Sequence, residues 1–251
     1  MRKPLQGLRN VIRFNWPYYA GAGIFLAILV LLVALSGGWA RIVAMFLALL
    51  AALATVISLL VTLKVYDLSG FYRLEWLGEL ERKNVRTILN VNAGFDETST
   101  LLESQFLGSD VVACDFFDAK RNTESSIARA RKAYPSYERT ISISSDKLPF
   151  ETGSVAIIFA IMSAHEIRNR EERNVFFGEI SRIMEPNGRL VVVEHLRDFA
   201  NIFAYNLGAF HFHSRAVWLS CFREAGLLVD VEKKLGPFLT AFFLTKNGNC
   251  N

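Results

Sequence analysis

The chain has 251 residues, 28 Lys and Arg against 24 Asp and Glu, and a formal net charge of +4. Hydrophobic residues make up 52% of it and charged residues 21%, with a mean hydropathy of +0.27, which excludes a disordered chain because there is ample apolar surface to bury. Cys114, Cys221 and Cys250 form no C-x-x-C pair and no zinc spacing, which excludes a disulfide scaffold and fits a reducing compartment, and a pI of about 9.0 is too mildly basic to indicate nucleic acid.

The length suits one domain with an appendage, and the apolar excess lies at one end. Residues 1–16 are basic, with Arg2, Lys3, Arg9 and Arg13. From Pro17 to Leu35, and again from Ile42 to Leu63, the chain carries no charge. Each run is long enough for a helix of ~20 residues, at ~1.5 Å per residue, to cross a hydrocarbon core of ~30 Å. The link SGGWAR between them allows only a tight turn, so residues 17–63 read as a transmembrane hairpin. A signal peptide has an apolar region of ~7–15 residues and a cleavage site, and two consecutive full-length spans do not fit that. A buried helical pair needs a polar stripe that neither run has.

Lys64, Arg73, Arg82, Lys83 and Arg86 follow the second span, and only Arg41 lies in the turn. The positive-inside bias places the N-terminus and everything after Lys64 in the cytoplasm, the protein being integral to an inner or plasma membrane. Trp16, Tyr18, Tyr19 and Trp39 stand where interfacial aromatics belong. Residues 64–83 form a connector rich in Tyr and Trp, which either lies at the interface or folds over the following domain.

From residue 84 onward, strand and helix patterns alternate. Thr87–Asn92, Val111–Phe116, Thr140–Ser144, Val155–Ala160 and Arg189–Glu194 read as strands. Glu97–Leu107, Thr123–Tyr134, Arg170–Met184 and Ser214–Ala225 read as helices, the third stopped by Glu185-Pro-Asn-Gly188 and the fourth by Gly226. Leu227–Leu235 and Leu239–Thr245 are two last strands joined across Gly236-Pro237, a link short enough only for antiparallel neighbours. The fold expected is α/β, a mostly parallel sheet closed by an antiparallel strand.

In such a sheet ligands bind beyond the carboxyl ends of the strands. That rim carries Asn92-Ala93-Gly94, Asp115 with Phe116, the segment Ser163-Ala164-His165-Glu166, then Glu194 and His195, and the aromatic run FANIFAYNLGAFHFH from Phe199 to His213. All four histidines of the chain, His165, His195, His211 and His213, fall there. Asp115 ends the second strand about twenty residues after the first turn, where a carboxylate accepts hydrogen bonds from both ribose hydroxyls of a nucleoside cofactor.

The ordered segments ILNVNAG, VVACDFF, LPFETGSVAIIFAIMSAHEI, EISRIMEPNGRLVVVEHLRD and HFHSRAVWLSCFREAGL resemble a class I S-adenosylmethionine-dependent methyltransferase. The broad group is the one that includes the quinone-biosynthesis C-methyltransferases, and the resemblance spans roughly Asn84 to Lys246. It implies a Rossmann-like, seven-stranded sheet with the last strand antiparallel, and S-adenosyl-L-methionine as cofactor. Asn90 stands at the family's acidic position, with Asn92, Gly94 and Asp96 at its three glycines, so one glycine of three is kept. Asp115 matches the ribose-binding acid and Phe116 the apolar neighbour of adenine. Ser144 and Ser145 stand where an adenine-contacting acid is common, with Asp146 displaced. Ala164, His165 and Glu166 match the segment facing the transferred methyl.

A weakly acidic acceptor needs a base. His165 comes first, then His195, with Glu194 and His211 as further candidates, since imidazole titrates near neutral pH. No H-x-x-x-H or H-E-x-x-H spacing marks a metal, and none is expected. The tether and the Phe199–Phe212 run suit a small apolar, membrane-resident acceptor: a lipid, a quinone or polyene-type aromatic, or an isoprenoid. Two rivals are weighed, and the sequence speaks against the second. One is an inactive methyltransferase-like scaffold, favoured by Asn90, Asn92 and Asp96. The other is a nicotinamide-dependent oxidoreductase, which needs a fuller G-x-G-x-x-G and no antiparallel end strand.

Overall fold

A computed structural model describes residues 2–78, 80, 85–120 and 124–247. Arg82 and Lys83, the domain boundary at Asn84, Thr123 and Cys250 lie outside the described residues.

The basic N-terminus is not a tail but helix α1 (Gln6–Phe14). Gly7, Asn10 and Phe14 recur at a spacing of three to four and form its buried face, while Arg9 and Arg13 face outward. Helices α2 (Trp16–Leu35) and α3 (Gly38–Leu63) follow, each long and apolar enough to cross a membrane. The expected six-residue turn shrinks to Ser36 and Gly37, because Trp39, Ala40 and Arg41 extend the second helix. Arg41 Nε reaches back to the Val33 and Ser36 carbonyls at 3.0 Å, pairing oxygens that the end of α2 leaves without helical partners. Only Leu29 of α2, and Ala44 and Thr62 of α3, are buried.

The connector continues α3 through a widened turn at Lys64–Leu68, then tight turns at Phe71–Arg73 and Glu75–Leu77. Of its two possible settings, the structure has it folded over the domain. Val65, Phe71, Leu74, Trp76 and Leu77 are buried against Ile88, Leu102, Ile157 and Phe159.

The sheet has seven strands: β1 (Thr87–Asn92), β2 (Asp110–Asp115), β3 (Thr140–Ser142), β4 (Val155–Ile161), β5 (Met184–His195), β6 (Leu227–Leu235) and β7 (Leu239–Lys246), in the order β3-β2-β1-β4-β5-β7-β6. The pairs among β1 to β5 are parallel, and β7 is antiparallel to both β5 and β6. The helices are α4 (Ser99–Gln105), α5 (Ser125–Ala133), α6 (Arg170–Ile183), α7 (Phe199–Tyr205) and α8 (Arg215–Glu224). Alternate residues of each central strand serve opposite faces. Leu89, Ile158 and Val192 pack on Phe176, Phe177, Trp218 and Phe222 of α6 and α8. Ile88, Ile157, Phe159 and Val191 pack on the connector and α4. A strand buried on both faces has no polar side, which is why β4 is apolar throughout.

One detail departs from the sequence reading. The Glu185–Gly188 turn is absorbed into β5, where Met184 pairs with Val155 before the register shifts. The aromatic run after β5 is helical, as α7 and a tight turn at Asn206–His211. Asn169, Asp198 and Ser214 cap α6, α7 and α8 by accepting from Glu172 N, Asn201 N and Val217 N.

Phe159 is fully buried in β4, with its ring 5.9 Å from that of Phe106. Phe159→Ala is expected to cost about 3–5 kcal/mol. It should appear as a lowered denaturant midpoint at unchanged slope; an unchanged midpoint would place the ring outside the core.

Candidate functional site

The carboxyl ends of β1, β2 and β4 open onto two adjoining cavities that share Asn92 and Phe95. The first, about 250 Å³, is lined by Asn92, Gly94, Asp96, Asp115, Arg131 and Thr140 among others. The second, about 240 Å³, runs from Asn92, Met162 and His165 on the sheet side to Phe14, Tyr66 and Tyr72 on the other. Phe95 and Asp96 therefore line these spaces and do not fill them.

The first loop is shaped by its own side chains. Asn92 Oδ1 accepts from Gly94 N at 2.9 Å. Gly94 has φ +95°, and a Cβ there would meet a guanidinium nitrogen of Arg131 at 2.7 Å and Phe117 Cβ at 3.0 Å, so glycine is required on both counts. Asp96 Oδ1 accepts from Thr98 N and Ser99 N at 2.8 and 2.9 Å, tying down the start of α4. Asn90 is 1% exposed and spends its amide on Asp96, Thr98 and Ser99. It supports the loop from below and does not line the cavities, contrary to the cofactor contact expected of it. Ala93 and Ala164 likewise pack into the core. Asp146 lines a separate surface hollow with Lys147, Glu179 and Arg182. Phe116 lines a further cavity of about 400 Å³ with Ser144 and Ser145.

Asp115, 7% exposed, accepts from Phe117 N at 2.9 Å and pairs with the Arg131 guanidinium. Two polar atoms at the first cavity, Asn92 Nδ2 and Asp96 Oδ2, are buried without a protein partner. Buried polar atoms are rarely left so, and an adenosyl or amino-acid moiety of a nucleoside cofactor would satisfy them. The close backbone approach at Gly94, the orphaned pair and the Asp115 carboxylate fit such a group. Arg131 lies over Asp115 and, with its side chain 36% exposed, is free to withdraw toward water.

His165 stands after β4, beyond Met162, whose φ of 53° is strained for a non-glycine residue. Ser163 Oγ donates to Val91 O at 2.7 Å and ties this turn to β1. Glu194, fully buried at the end of β5, accepts from His165 N at 3.2 Å and lies 2.6 Å from His165 Nδ1. Burial opposes the imidazolium, but Glu194 and then Glu166 outweigh it and lift His165 to about 10. In that setting His165 favours its protonated, donating form over the free base. Burial would raise Glu166, but hydrogen bonds from His165 and His211 hold it well below the usual carboxylate range. His211 lies 3.2 Å from Glu166 and 3.2 Å from Glu124.

His195 does not reach the cavity itself. Its Nε2 accepts from Tyr66 Oη at 3.0 Å, and Nδ1 donates to Phe238 O at 3.0 Å. Its ring stacks on Phe212 at 4.8 Å. Burial pushes it down to about 4, so it is neutral and positions the Tyr66 hydroxyl. His213 is pushed down to about 3 by burial and by Arg173, and its Nε2 lies 3.1 Å from Arg173 Nη1.

The connector's place in the roof is one of the two settings read from sequence, and the part played by α1 was missed. Asp67 accepts from Gly7 N and Leu8 N at 2.9 and 2.8 Å, Glu97 gathers Arg2, Asn10 and Tyr72 at 2.7, 3.2 and 2.7 Å, and Phe14 meets Phe95 edge-on at 5.4 Å. The one signal was the three-to-four spacing of Gly7, Asn10 and Phe14 among the basic residues.

Residues 89–192 match a family model described as a methyltransferase domain. No curated protein matches the chain. Among solved structures, a SAM-dependent methyltransferase from Aquifex aeolicus is 18% identical with a TM-score of 0.51, over 76% of this chain and 97% of that one. A protein of Pyrococcus horikoshii OT3 is 19% identical with a TM-score of 0.53, over 71% and 90%. Geranyl diphosphate C-methyltransferase from Streptomyces coelicolor A3(2), solved with Mg2+, geranyl diphosphate and S-adenosyl-L-homocysteine, is 14% identical with a TM-score of 0.51, over 71% and 79%. At these identities the likeness is one of fold.

The neutral His195 carries a pH signature. Below 6.5 the unfolded chain takes up a proton that folded His195 refuses until about 4, so stability falls as pH drops through that window. At about 1.4 kcal/mol per pH unit, wild type should lose roughly 3 kcal/mol more than His195→Gln between these pH values. Denaturant titrations at both ends check this, and parallel losses in the two proteins would refute it.

Proposed function

We propose that the methyltransferase domain is a class I S-adenosylmethionine-dependent enzyme, membrane-anchored, with a small apolar acceptor drawn from the bilayer. The observation that carries the acceptor class is the second cavity. Its floor is the methyltransferase sheet edge at Asn92 and His165, and its roof is Phe14, Tyr66, Phe71 and Tyr72, all from the segments flanking α2 and α3.

Three features support the tether. α2 and α3 bury almost none of their side chains within the protein, although a core helix of a soluble protein would be mostly buried. The charge bias around them places the N-terminus and the domain on the cytoplasmic side. Phe199, Phe203, Leu207 and Phe210 are 85, 61, 83 and 63% exposed, on α7 and the turn after it, and α7 packs beside α3. Isolated apolar residues need no explanation, but a contiguous set next to two apolar helices suits the headgroup boundary. Geranyl diphosphate, the ligand of the Streptomyces coelicolor neighbour, is an isoprenoid; for this chain an isoprenoid stands beside lipids and quinone-type or polyene-type aromatics as an acceptor class.

The sulfonium methyl is already activated when S-adenosylmethionine is bound, so the protein's own task is orientation. Asn92, Gly94, Asp96 and Asp115 would hold the cofactor in the first cavity, with Arg131 withdrawing from Asp115. The apolar roof would hold the acceptor in line in the second. His165, fixed by Glu194 and Glu166, forms the polar end at which the acceptor's reacting atom is held, and His195 acts through the Tyr66 hydroxyl.

The test has two arms. Calorimetric titration of S-adenosylhomocysteine into the full chain should show binding that Asp115→Ala weakens by at least tenfold; no binding at millimolar ligand would instead leave a tethered scaffold. Labelled methyl should then enter the lipid extract of expressing membranes. Label found only in soluble metabolites would overturn the acceptor class.

A further inference from the structure

No metal spacing is visible in the sequence, yet the tertiary structure gathers one ligand set. His165, Glu166 and His211 bring their donor atoms within 4.8 Å of one another. Glu166 Oε1 lies 3.2 Å from His165 Nε2 and 3.2 Å from His211 Nε2, so both imidazoles turn the same nitrogen toward one carboxylate oxygen. Two ligands each ~2.0–2.2 Å from a common ion, at angles between octahedral and tetrahedral, are separated by about 2.8–3.6 Å. The two spacings to Glu166 fall inside that interval.

The second observation is independent of the first. The opposite nitrogen of each imidazole faces a different carboxylate: His165 Nδ1 is 2.6 Å from Glu194 Oε2, and His211 Nδ1 is 3.2 Å from Glu124 Oε1. Metal-bound histidines characteristically donate their remaining N–H to a carboxylate, which fixes tautomer and ring orientation. Here both histidines have that partner, from residues far apart in the chain, and Glu194 is fully buried. Hydrogen bonding between His165 and Glu166 alone accounts for neither the His211 geometry nor the paired outer carboxylates.

We propose that His165, Glu166 and His211 bind a divalent transition-metal ion of the zinc type, the ion displacing from His165 Nε2 the proton that the neighbouring carboxylates otherwise favour there. Two imidazoles and one carboxylate favour that class over Mg2+ or Ca2+, which take oxygen ligands. His165 lines the second cavity, so the ion sits at its polar end, where it takes an oxygen of the acceptor as a further ligand and lowers the pKa of a hydroxyl bound there. That use rests on the acceptor reading above, whereas the site itself does not. Access is through His211, whose side chain is 26% exposed against 11% for His165 and 7% for Glu166. Arg168 Nη2 contacts both ring nitrogens of His211, the proposed ligand Nε2 included. Its cation must swing outward when the ion enters, and its side chain, 39% exposed, has water to swing into.

The full chain, purified in detergent without a polyhistidine tag and stripped with chelator, is titrated with Co2+ and then Zn2+. One equivalent of Co2+ should bind with a visible absorption band and be displaced by Zn2+. His211→Ala and Glu166→Gln should each weaken binding by about 100-fold or more, since loss of an outer partner alone costs 10–100-fold, and Arg168→Gln should tighten it. Zn2+ should raise the unfolding temperature of wild type and not of His211→Ala. Equal unfolding temperatures for the two stripped proteins would exclude a folding defect as the cause of weaker binding. Substoichiometric uptake, or equal affinity in wild type and both ligand variants, would overturn the site. Stoichiometric binding with no label in lipids would sink the acceptor reading alone and leave the site standing.

Discussion

Two carboxylates hold the cleft closed, and the rest of the site depends on them. Asp67 takes the free N–H groups of Gly7 and Leu8 at the start of α1, where the helix dipole favours an anion. Glu97, from the loop after β1, takes Arg2, Asn10 and Tyr72 together. Charge-assisted hydrogen bonds of this kind, partly shielded from water, are stronger than surface ion pairs. They fix α1 and the connector over the sheet edge, so that Phe14, Tyr66 and Tyr72 become walls of a cavity. Gly7 permits this, since a Cβ there would run into Tyr66.

The same arrangement makes the two halves of the chain interdependent. In the α/β plan a sheet needs cover on both faces. One face has α6 and α8, but the other is covered largely by Val65, Phe71, Leu74, Trp76 and Leu77 from the connector. The segment that links α3 to the domain is thus part of the domain's core. In the proposed membrane setting, the site cannot drift from the bilayer without exposing that core, and an acceptor leaving the lipid meets the cavity roof first.

At the other end of the cavity the protein tolerates buried charge. Glu194 ends β5 and His165 follows β4, two neighbouring parallel strands, so backbone pairing brings them together at no further entropic cost. A buried ion pair seldom improves stability, because desolvation offsets its attraction. Its retention here, with Met162 strained beside it, points to a site shaped for chemistry more than for stability. His195 shows the opposite solution: burial without an anion leaves it neutral, bonded to Tyr66, Phe238 and Asn201.

Periodicity and chain order were enough to read the sheet, because patterns of two and of three to four residues report burial directly. The apolar runs before Lys64, β1 to β7, the antiparallel closing strand and the place of Asp115 were all legible in this way. Boundaries moved where local chemistry was ambiguous: Gly38 opened α3 early, and Glu185–Gly188 joined β5. The contribution of α1 to the roof, the contacts that hold it and the assembled polar cluster were not legible. Their partners are Asp67 with Gly7, Glu97 with Arg2, His165 with Glu194, and His211 with Glu166, separated by tens of residues, and a contact between distant side chains leaves no local pattern. Sequence determined which groups lie on the rim of the sheet. Only the tertiary structure decided which of them face the cavities, which are spent holding loops, and which hold protons, because those properties depend on burial and on neighbours that the fold alone brings together.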